Sequence, residues 1–411
     1  MSAYTGFLIR TERLRQNLSQ EGLARGICAV SYLSKIEQGQ VEPGEEITER
    51  LFAALHIDFV RDPALEEEAQ RQLDRFFFFM DTSEAYEEQK AFFSKNREQL
   101  CRSEFAIKLK LYELVSCARL ENAEEMRERL EQIEPFMFCL NTAEQQWVLL
   151  VKAEYQRTQE EEYRILEQAV RLRPYALVMY RLAVCAYRQG QYSQCSELAE
   201  RAYSQAAYEG NPATMIWSSH LLGSCACNRY DMKLAGRYYE RTLALCRGYR
   251  ENLESYIRYN LGATYLEMGQ DQNALRELTR AKELDDDSFH NMLLHQKLAI
   301  LYARLGRRDE GIAELKQART AFKREQWPES FRADLMEKML DFAQMMLTDG
   351  AAGLPEFEQA ARALYEEGGQ VYGHGYKRFY GKFLIESYKS QRRYKEALYV
   401  QEEISKSIFP E

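Results

Sequence analysis

Apolar residues recur at intervals of three and four positions along almost the whole chain of 411 residues. This spacing places them on one face of an α-helix, whereas the strict apolar and polar alternation of a half-buried strand is absent. Only eight prolines interrupt the pattern. Because prolines end helices, so few of them leave room for long helical segments. The pattern predicts an all-α protein.

A skeleton of leucine, small and aromatic residues returns along the chain and indicates paired helices. Its clearest copy consists of Leu261, Gly262, Tyr265, Gly269, Ala274, Leu278 and Ala281. Equivalent leucines at 149, 182, 222, 261 and 298 are 33, 40, 39 and 37 residues apart. This matches a slightly expanded tetratricopeptide repeat, with Gly269 at the turn between two helices. Since one unit cannot bury its own apolar face, the repeats are expected to stack into a right-handed α-solenoid with a concave surface.

The N-terminal stretch has the pattern of a helix-turn-helix unit. In LSQEGLARG, Ser19 can cap a helix that Gly26 ends. In the following AVSYLSKIEQG, Leu33 and Ile36 point inward. The residues left outward are Val30, Ser31, Ser34 and Lys35. This pattern fits a helix that reads DNA and equally an amphipathic helix in a bundle.

The segment from Gly6 to Ile57, with SQEGLA, YLSKIEQG and Pro43, resembles the Xre or lambda-repressor type of DNA-binding domain. Arg13 and Glu37 lie where that family keeps a partly buried ion pair. The short turn ARGICAVS resembles that of the RRNPP group, the Rap, Rgg, NprR, PlcR and PrgX regulators. The resemblance implies a five-helix N-terminal domain, tetratricopeptide-like repeats, a cytoplasmic homodimer and a short signalling peptide as ligand.

The resemblance also implies DNA-contacting residues. Gln20 opens the second helix, where this family contacts a phosphate oxygen. The other candidates are Val30, Ser31, Tyr32, Ser34, Lys35 and Gln38. The alternative is that all of them are solvated helix residues. The chain carries a formal net charge of −9, whereas residues 1–40 hold five basic and three acidic side chains. Any DNA-binding surface is therefore a local patch, and two linked domains are expected to be needed for useful affinity.

Candidate peptide contacts lie on the first helix of each repeat, which faces the concave side. They are Arg181, His220, Ser224, Asn228, Tyr256, Asn260, Lys297 and Arg304. An asparagine carboxamide can both donate to and accept from a peptide backbone, and Lys297 and Arg304 could hold a terminal carboxylate. For each residue, an ordinary solvated helix face is the alternative.

Other classes of function find little support. No apolar run is long enough to span a membrane and no secretory signal is visible, which predicts a cytoplasmic protein. The nine cysteines suit reduced thiols, and the pair Cys225 and Cys227 lacks partners for a zinc site. No metalloprotease, nucleophile-elbow or phosphate-loop motif occurs, so no enzyme, metal or cofactor is expected. The segment GGQVYGHG, residues 368–375, predicts a flexible loop between repeats.

These observations predict a DNA-binding domain in residues 1–60, a linker helix in 61–75 and a repeat domain in 76–411. The expected function is that of a transcriptional regulator whose repeats bind a short signalling peptide and thereby change operator binding. The alternative is a protein-interaction module that sequesters a response regulator or another protein, as Rap-type members do.

Overall fold

A computed structural model describes residues 3–78, 83–118, 123–156, 158–229, 231–247, 253–284, 288–324, 332–372 and 374–408. Every regular element in these ranges is a helix, which confirms the all-α prediction. None of the helices they contain is both long and apolar enough to cross a membrane. The chain forms two compact units, residues 1–178 and 179–411.

The first unit begins with four helices that enclose a core of their own and continues with helices in pairs. In chain order they are α1 (Ala3–Arg15), α2 (Gln20–Ala24), α3 (Val30–Glu37), α4 (Glu45–Ala54), α5 (Pro63–Phe78), α6 (Ser83–Leu100), α7 (Ala106–Ala118), α8 (Ala123–Ile133), a 3₁₀ segment (Glu134–Cys139), α9 (Thr142–Glu154) and α10 (Gln159–Leu172).

The second unit is built from helix pairs. Its first helix, α11, begins at Ala176, so residues 176–178 of this helix are part of the first unit. The helices are α11 (Ala176–Arg188), α12 (Tyr192–Glu209), α13 (Pro212–Asn228), α14 (Met232–Cys246), α15 (Leu253–Glu267), α16 (Asp271–Leu284), α17 (Ser288–Arg304), α18 (Arg308–Arg324), α19 (Ala333–Met346), a 3₁₀ turn (Ala351–Gly353), α20 (Pro355–Tyr372), α21 (His374–Ser390) and α22 (Tyr394–Ile408).

The four N-terminal helices enclose a small core of their own. As predicted, Leu33 and Ile36 of α3 are buried in it, at 0% and 1% exposure. The Ser19 hydroxyl accepts a hydrogen bond of 2.9 Å from the Gly22 amide and thus caps α2. Gly26 follows α2 with φ +74°, a left-handed conformation that favours glycine. The turn between α2 and α3 is therefore specified by local chemistry.

The fifth helix of the N-terminal region, α5, begins at Pro63, beyond residue 60, and covers the segment predicted as a linker. Leu73 and Phe76 on this helix are buried, and the Phe77 ring stacks on Trp147 of α9 with centroids 4.7 Å apart. The helix thus packs against later helices of the first unit instead of crossing solvent. The domain boundaries at residues 60 and 75 remain a prediction.

Small residues allow the paired helices of the second unit to approach closely, as the repeat pattern predicted. A Cβ atom on Gly262 of α15 would lie 2.7 Å from the Leu278 side chain of α16. One on Gly223 of α13 would lie 2.8 Å from the Tyr239 ring of α14. Gly269 has φ +74° in the turn between α15 and α16. Paired helices with a glycine turn are therefore confirmed.

The prediction of a flexible loop at GGQVYGHG is wrong over most of that segment. Helix α20 continues through Tyr372, and α21 begins at His374. Glycine within a helix costs only about 1 kcal/mol relative to alanine, so packing on either side can offset it. Leu364 and Phe379, both buried, provide such packing. Residue 373 lies outside the described residues.

Candidate DNA-binding surface and ligand cluster

Helix α3 presents a polar face to solvent. Val30 is 42% exposed, and Ser31, Lys35 and Gln38 are also exposed. Ser34 is half-buried and accepts a hydrogen bond of 3.3 Å from the Gln38 amide. These side chains can therefore reach a molecule outside the domain.

Tyr32 is half-buried and packs against the core of the N-terminal helices. Of the α3 candidates for DNA contact, it is the one with a second role in the core. Any contact from Tyr32 would come from the edge of the α3 face.

A buried ion pair fixes the orientation of α3. The Arg13 guanidinium of α1 donates from Nε to Glu37 Oε1 at 2.6 Å and from Nη2 to Oε2 at 2.9 Å. Arg13 is 7% and Glu37 2% exposed. The remaining Arg13 nitrogen donates to the Leu18 carbonyl at 2.7 Å. The structural pair predicted from the sequence is therefore present, and it is bidentate.

Gln20 belongs to the same network. Its side-chain amide donates to Glu37 Oε2 at 2.8 Å, so one of its two N–H donors is used inside the domain. The other donor is the one that could reach a phosphate oxygen. Gln20, Ser34 and Gln38 line one depression together with Arg10, Arg13, Leu14 and Glu37. Two guanidinium groups thus lie beside the polar face of α3.

The N-terminal helices also pack on aromatic residues of the 3₁₀ segment. The Phe7 ring of α1 meets Phe136 edge to face with centroids 4.9 Å apart, and the Arg10 guanidinium lies over Phe136 at 5.2 Å. A Cβ atom on Gly39, just after α3, would lie 1.9 Å from Phe138. These contacts were not predicted from the sequence, although the run FMF after a proline is unusual for a polar turn.

In the second unit, several predicted ligand residues form one aromatic and polar cluster. The His220 ring lies 5.2 Å from that of Tyr256, and its Nε2 lies 3.2 Å from the Asn260 amide nitrogen. Ser224 donates to the His220 carbonyl at 3.2 Å. Burial lowers the pKa of His220 to about 4, so its imidazole is neutral near pH 7. The cluster is suited to hydrogen bonding without charge, and Tyr256 remains 38% exposed on it.

Asn228 is placed differently from the expectation. It is 3% exposed, and its amide donates to Tyr187 Oη at 2.8 Å and to the Ser224 carbonyl at 2.9 Å. Its Oδ1 accepts from Arg378 Nη1 of α21 at 3.0 Å. Both donors and the carboxamide oxygen are thus engaged, so a peptide backbone could use Asn228 only by displacing one of these partners.

Lys297 is buried rather than exposed on a groove. It is 5% exposed, and its Nζ lies 3.6 Å from the centre of the Phe379 ring of α21. The rings of Tyr376 and Tyr380 lie 5.8 and 5.6 Å from the same atom. Burial lowers the pKa of Lys297 to about 7, partly opposed by the Glu267 carboxylate.

Arg304, the expected partner of Lys297 for a carboxylate, is already engaged. It donates to the Leu266 carbonyl at 2.8 Å and pairs with Asp271 at 3.0 Å. It thus stabilises the last turn of α15, because a cation interacts favourably with the carbonyl end of a helix. Arg181 is half-buried on α11. The structure therefore brings together His220, Ser224, Tyr256 and Asn260, and places Asn228 and Lys297 against α21.

The residues of α21 that meet Asn228 and Lys297 were missed. Arg378 is 5% exposed and forms a bidentate pair with Glu267, donating from Nε to Oε1 and from Nη2 to Oε2, the latter at 2.7 Å. Lys382 donates to the Glu267 carbonyl at 2.5 Å. The spacing of Arg378, Phe379 and Lys382 places them on one face of α21, which could have been noticed in the sequence. This spacing does not reveal which helix the three residues contact.

Among the predictions from the sequence, the helix-turn-helix domain at the N-terminus is the one that comparison with known proteins supports most directly. A family described as Helix-turn-helix matches residues 9–60, which contain the second half of α1 and all of α2, α3 and α4. The N-terminal segment is thus a helix-turn-helix domain of the Xre type. No curated protein matches the sequence.

Several solved structures share the fold over most of the chain. The apo form of the quorum sensor NprR from B. thuringiensis is 14% identical with a TM-score of 0.62, covering 84% of this chain and 99% of its own. A Rap protein complexed with competence and sporulation factor is 13% identical with a TM-score of 0.63, covering 83% and 98%. NprR in complex with its cognate peptide NprX is 13% identical with a TM-score of 0.58, covering 83% and 98%. At these identities the similarity shows the helical-repeat fold alone.

Proposed function

We propose that this protein is a cytoplasmic transcriptional regulator that binds operator DNA through α3 and a short signalling peptide through its repeats. The observation that carries the DNA-binding part is the helix-turn-helix match over residues 9–60, combined with the exposed polar face of α3. The buried Arg13–Glu37 pair holds that face in a fixed orientation. A rigid helix with short polar side chains suits approach to base edges in the major groove.

The DNA-binding form is a homodimer. Five basic against three acidic residues in positions 1–40 make a thin basic footprint, so one domain neutralises few phosphates. Two domains on half-sites about 34 Å apart would bind together far more tightly than either alone.

The peptide contacts in this proposal are centred on His220, Tyr256 and Asn260, which form the cluster with an exposed tyrosine and neutral hydrogen-bonding groups. A bound peptide favours one curvature of the repeats and thereby changes the spacing of the two DNA-binding domains. A differential binding energy of about 1.4 kcal/mol is enough for a tenfold change in operator affinity. Two fold neighbours support this part: one is described as a quorum sensor and another as a complex with its cognate peptide.

The first prediction concerns α3. We expect Ser31→Ala and Lys35→Ala each to weaken binding to a duplex selected from a random pool by about 1 to 3 kcal/mol, because each substitution removes a proposed contact with a base edge. Fluorescence anisotropy at fixed salt measures this loss. The exposed residues Ser405 and Lys395 of the last helix provide matched controls, and Ser405→Ala and Lys395→Ala should bind as wild type. Wild-type affinity in both α3 variants would contradict the assignment of α3.

The second prediction concerns the ligand cluster. We expect Asn260→Ala to weaken the binding of a short linear peptide selected from a synthetic library by about 1 to 3 kcal/mol, while DNA binding without peptide is retained. One lost hydrogen bond leaves a buried partner unsatisfied and costs about 1 to 3 kcal/mol. Calorimetry measures the affinity, with Asn273→Ala on α16 as the matched control. If no peptide binds the wild-type chain, sequestration of a protein partner becomes the better interpretation of the repeats.

A further inference from the structure

Arg10, on the first helix α1, is held by an aromatic ring and by no acceptor. Its guanidinium carbon lies over the Phe136 ring, 5.2 Å from the ring centre. Within the described part of the chain, no hydrogen bond or ion pair engages the guanidinium nitrogens. A ring face attracts the positive charge, but it does not accept the N–H donors at the edge of the guanidinium plane. Arg10 is therefore fixed in place while its hydrogen-bonding groups remain available to a ligand.

The Arg10 guanidinium lines a depression formed by α1, α2 and α3. The lining residues are Arg10, Arg13, Leu14, Gln20, Ser34, Glu37 and Gln38. Arg13 and Glu37 form the bidentate pair described above, so their charges cancel. The net charge of the lining residues is therefore the positive charge of Arg10. Gln20 adds a neutral donor, because one of its two N–H groups is bonded to Glu37 and the other is left for a ligand. The depression is thus suited to an anion.

The Phe136 ring belongs to the 3₁₀ segment Glu134–Cys139, outside the N-terminal helices. Phe136 is 4% exposed, and the Phe7 ring of α1 meets it edge to face. The segment is also fixed from α9, where the Gln145 amide donates to the Met137 carbonyl at 3.0 Å. The position of the ring is therefore set by the later helices of the first unit as well as by α1.

We infer that Arg10 binds a backbone phosphate of DNA and that Phe136 positions its guanidinium for this contact. A phosphate supplies acceptor oxygens in the geometry that the guanidinium fork matches, and the ring fixes the fork without using its donors. The depression adjoins the polar face of α3 through Ser34 and Gln38, so a duplex read by α3 brings its backbone to Arg10. This contact rests on the proposed DNA binding through α3. A phosphate contact carries no sequence information, so it can be tested separately from base reading.

The first test measures the salt dependence of DNA binding by the full-length chain. For Arg10→Gln we expect about tenfold weaker binding to both a selected and an unselected duplex, because each domain loses one charge-assisted bond. The slope of log affinity against log salt concentration should become shallower by about 0.9 for each domain on the duplex. Arg171→Gln is the matched control. It removes the same charge from α10, where the Arg171 side chain is 79% exposed, and should change neither quantity.

The outcomes of this test separate the phosphate contact from the proposed function. Arg10→Lys keeps the charge and should retain the wild-type slope. A wild-type slope in Arg10→Gln, with specific binding intact, would overturn the phosphate contact and leave the regulator function standing. A wild-type chain that binds both duplexes equally, with a shallower slope in Arg10→Gln, would support the contact and contradict sequence-specific regulation. A chain that binds neither duplex would overturn both.

Positioning by Phe136 is tested by a double-mutant cycle. We expect Phe136→Leu alone to weaken binding to both duplexes about threefold or more, and to have no further effect in the Arg10→Gln chain, because the side chain it positions is then absent. Equal losses in both backgrounds would show that Phe136 acts by packing α1 and would overturn the positioning role. Phe92→Leu, at a half-buried phenylalanine of α6, is the matched control and should bind as wild type.

A spectroscopic measurement reports the same contact without DNA. In the chain labelled with ¹⁵N-arginine, Arg10→Gln identifies the Nε–H resonance of Arg10, which should carry a ring-current shift that Phe136→Leu removes. A resonance that Phe136→Leu leaves in place would overturn the positioning role. Added duplex should shift the wild-type resonance further, whereas inorganic phosphate at the same ionic strength should not. A saturable shift with inorganic phosphate and none with duplex would overturn the assignment to DNA.

Discussion

Replacing Glu37 by alanine is expected to lower the stability of the N-terminal helices by about 3 to 5 kcal/mol, because one partner of a buried ion pair is removed. Arg13 would keep its bond to the Leu18 carbonyl but would lose both carboxylate oxygens. Gln20 would lose its acceptor as well. A loss of this size is a large part of the 5 to 15 kcal/mol typical of a small domain. Hydrogen exchange of amides in residues 3–54 measures it locally.

The control for this prediction is Glu46→Ala. Glu46 is paired with Arg50 at 3.9 Å, and its side chain is 86% exposed, so its removal should cost less than about 1 kcal/mol. Exchange in α15 and α16 should be unaffected by either variant. Equal protection of α1 and α3 in Glu37→Ala and Glu46→Ala would show that the pair contributes nothing to stability.

Replacing Arg378 by methionine should destabilise the second unit by a similar amount, about 3 to 5 kcal/mol. The substitution leaves the buried Glu267 carboxylate without its bidentate partner, and it removes a donor from both Asn228 oxygens. Because these contacts tie α21 to the ends of α13 and α15, exchange should increase in the last turns of those two helices. Hydrogen exchange combined with urea unfolding measures both effects.

Arg319→Met is the matched control for this substitution. Arg319 pairs with Asp341 at 2.8 Å, but the two side chains are 36% and 53% exposed. Its loss should change the free energy of unfolding by less than about 1 kcal/mol. If Arg378→Met unfolds at the same urea concentration as Arg319→Met, the buried pair is not a stabilising contact.

The features that could be predicted from the sequence are those set by local periodicity. The 3.6-residue period placed Leu33 and Ile36 in the core and left Ser31 and Lys35 exposed. The small residues at Gly223 and Gly262 marked the close contacts between paired helices, because no larger side chain fits there. The Arg13–Glu37 pair could be predicted because the N-terminal segment resembles a known type of DNA-binding domain.

The contacts that escaped prediction join segments far apart in the chain. Arg378 meets Glu267 and Asn228 across 111 and 150 residues, so helix periodicity alone could not identify its partners. Position in the first helix of a repeat suggested that Asn228, Lys297 and Arg304 were open to a ligand. Instead, Asn228 accepts a hydrogen bond from Arg378 of α21, Lys297 lies against the Phe379 ring, and Arg304 donates to a carbonyl in the last turn of α15.

The most direct test of the account is the affinity of the full-length chain for a duplex selected from a random pool, compared with an unselected duplex at the same salt concentration. For a sequence-specific regulator we expect the selected duplex to bind about a thousandfold tighter or more. Adding a library-selected short peptide should change that affinity about tenfold. Equal affinity for the selected and unselected duplexes would contradict the proposal that this protein is a sequence-specific DNA-binding regulator.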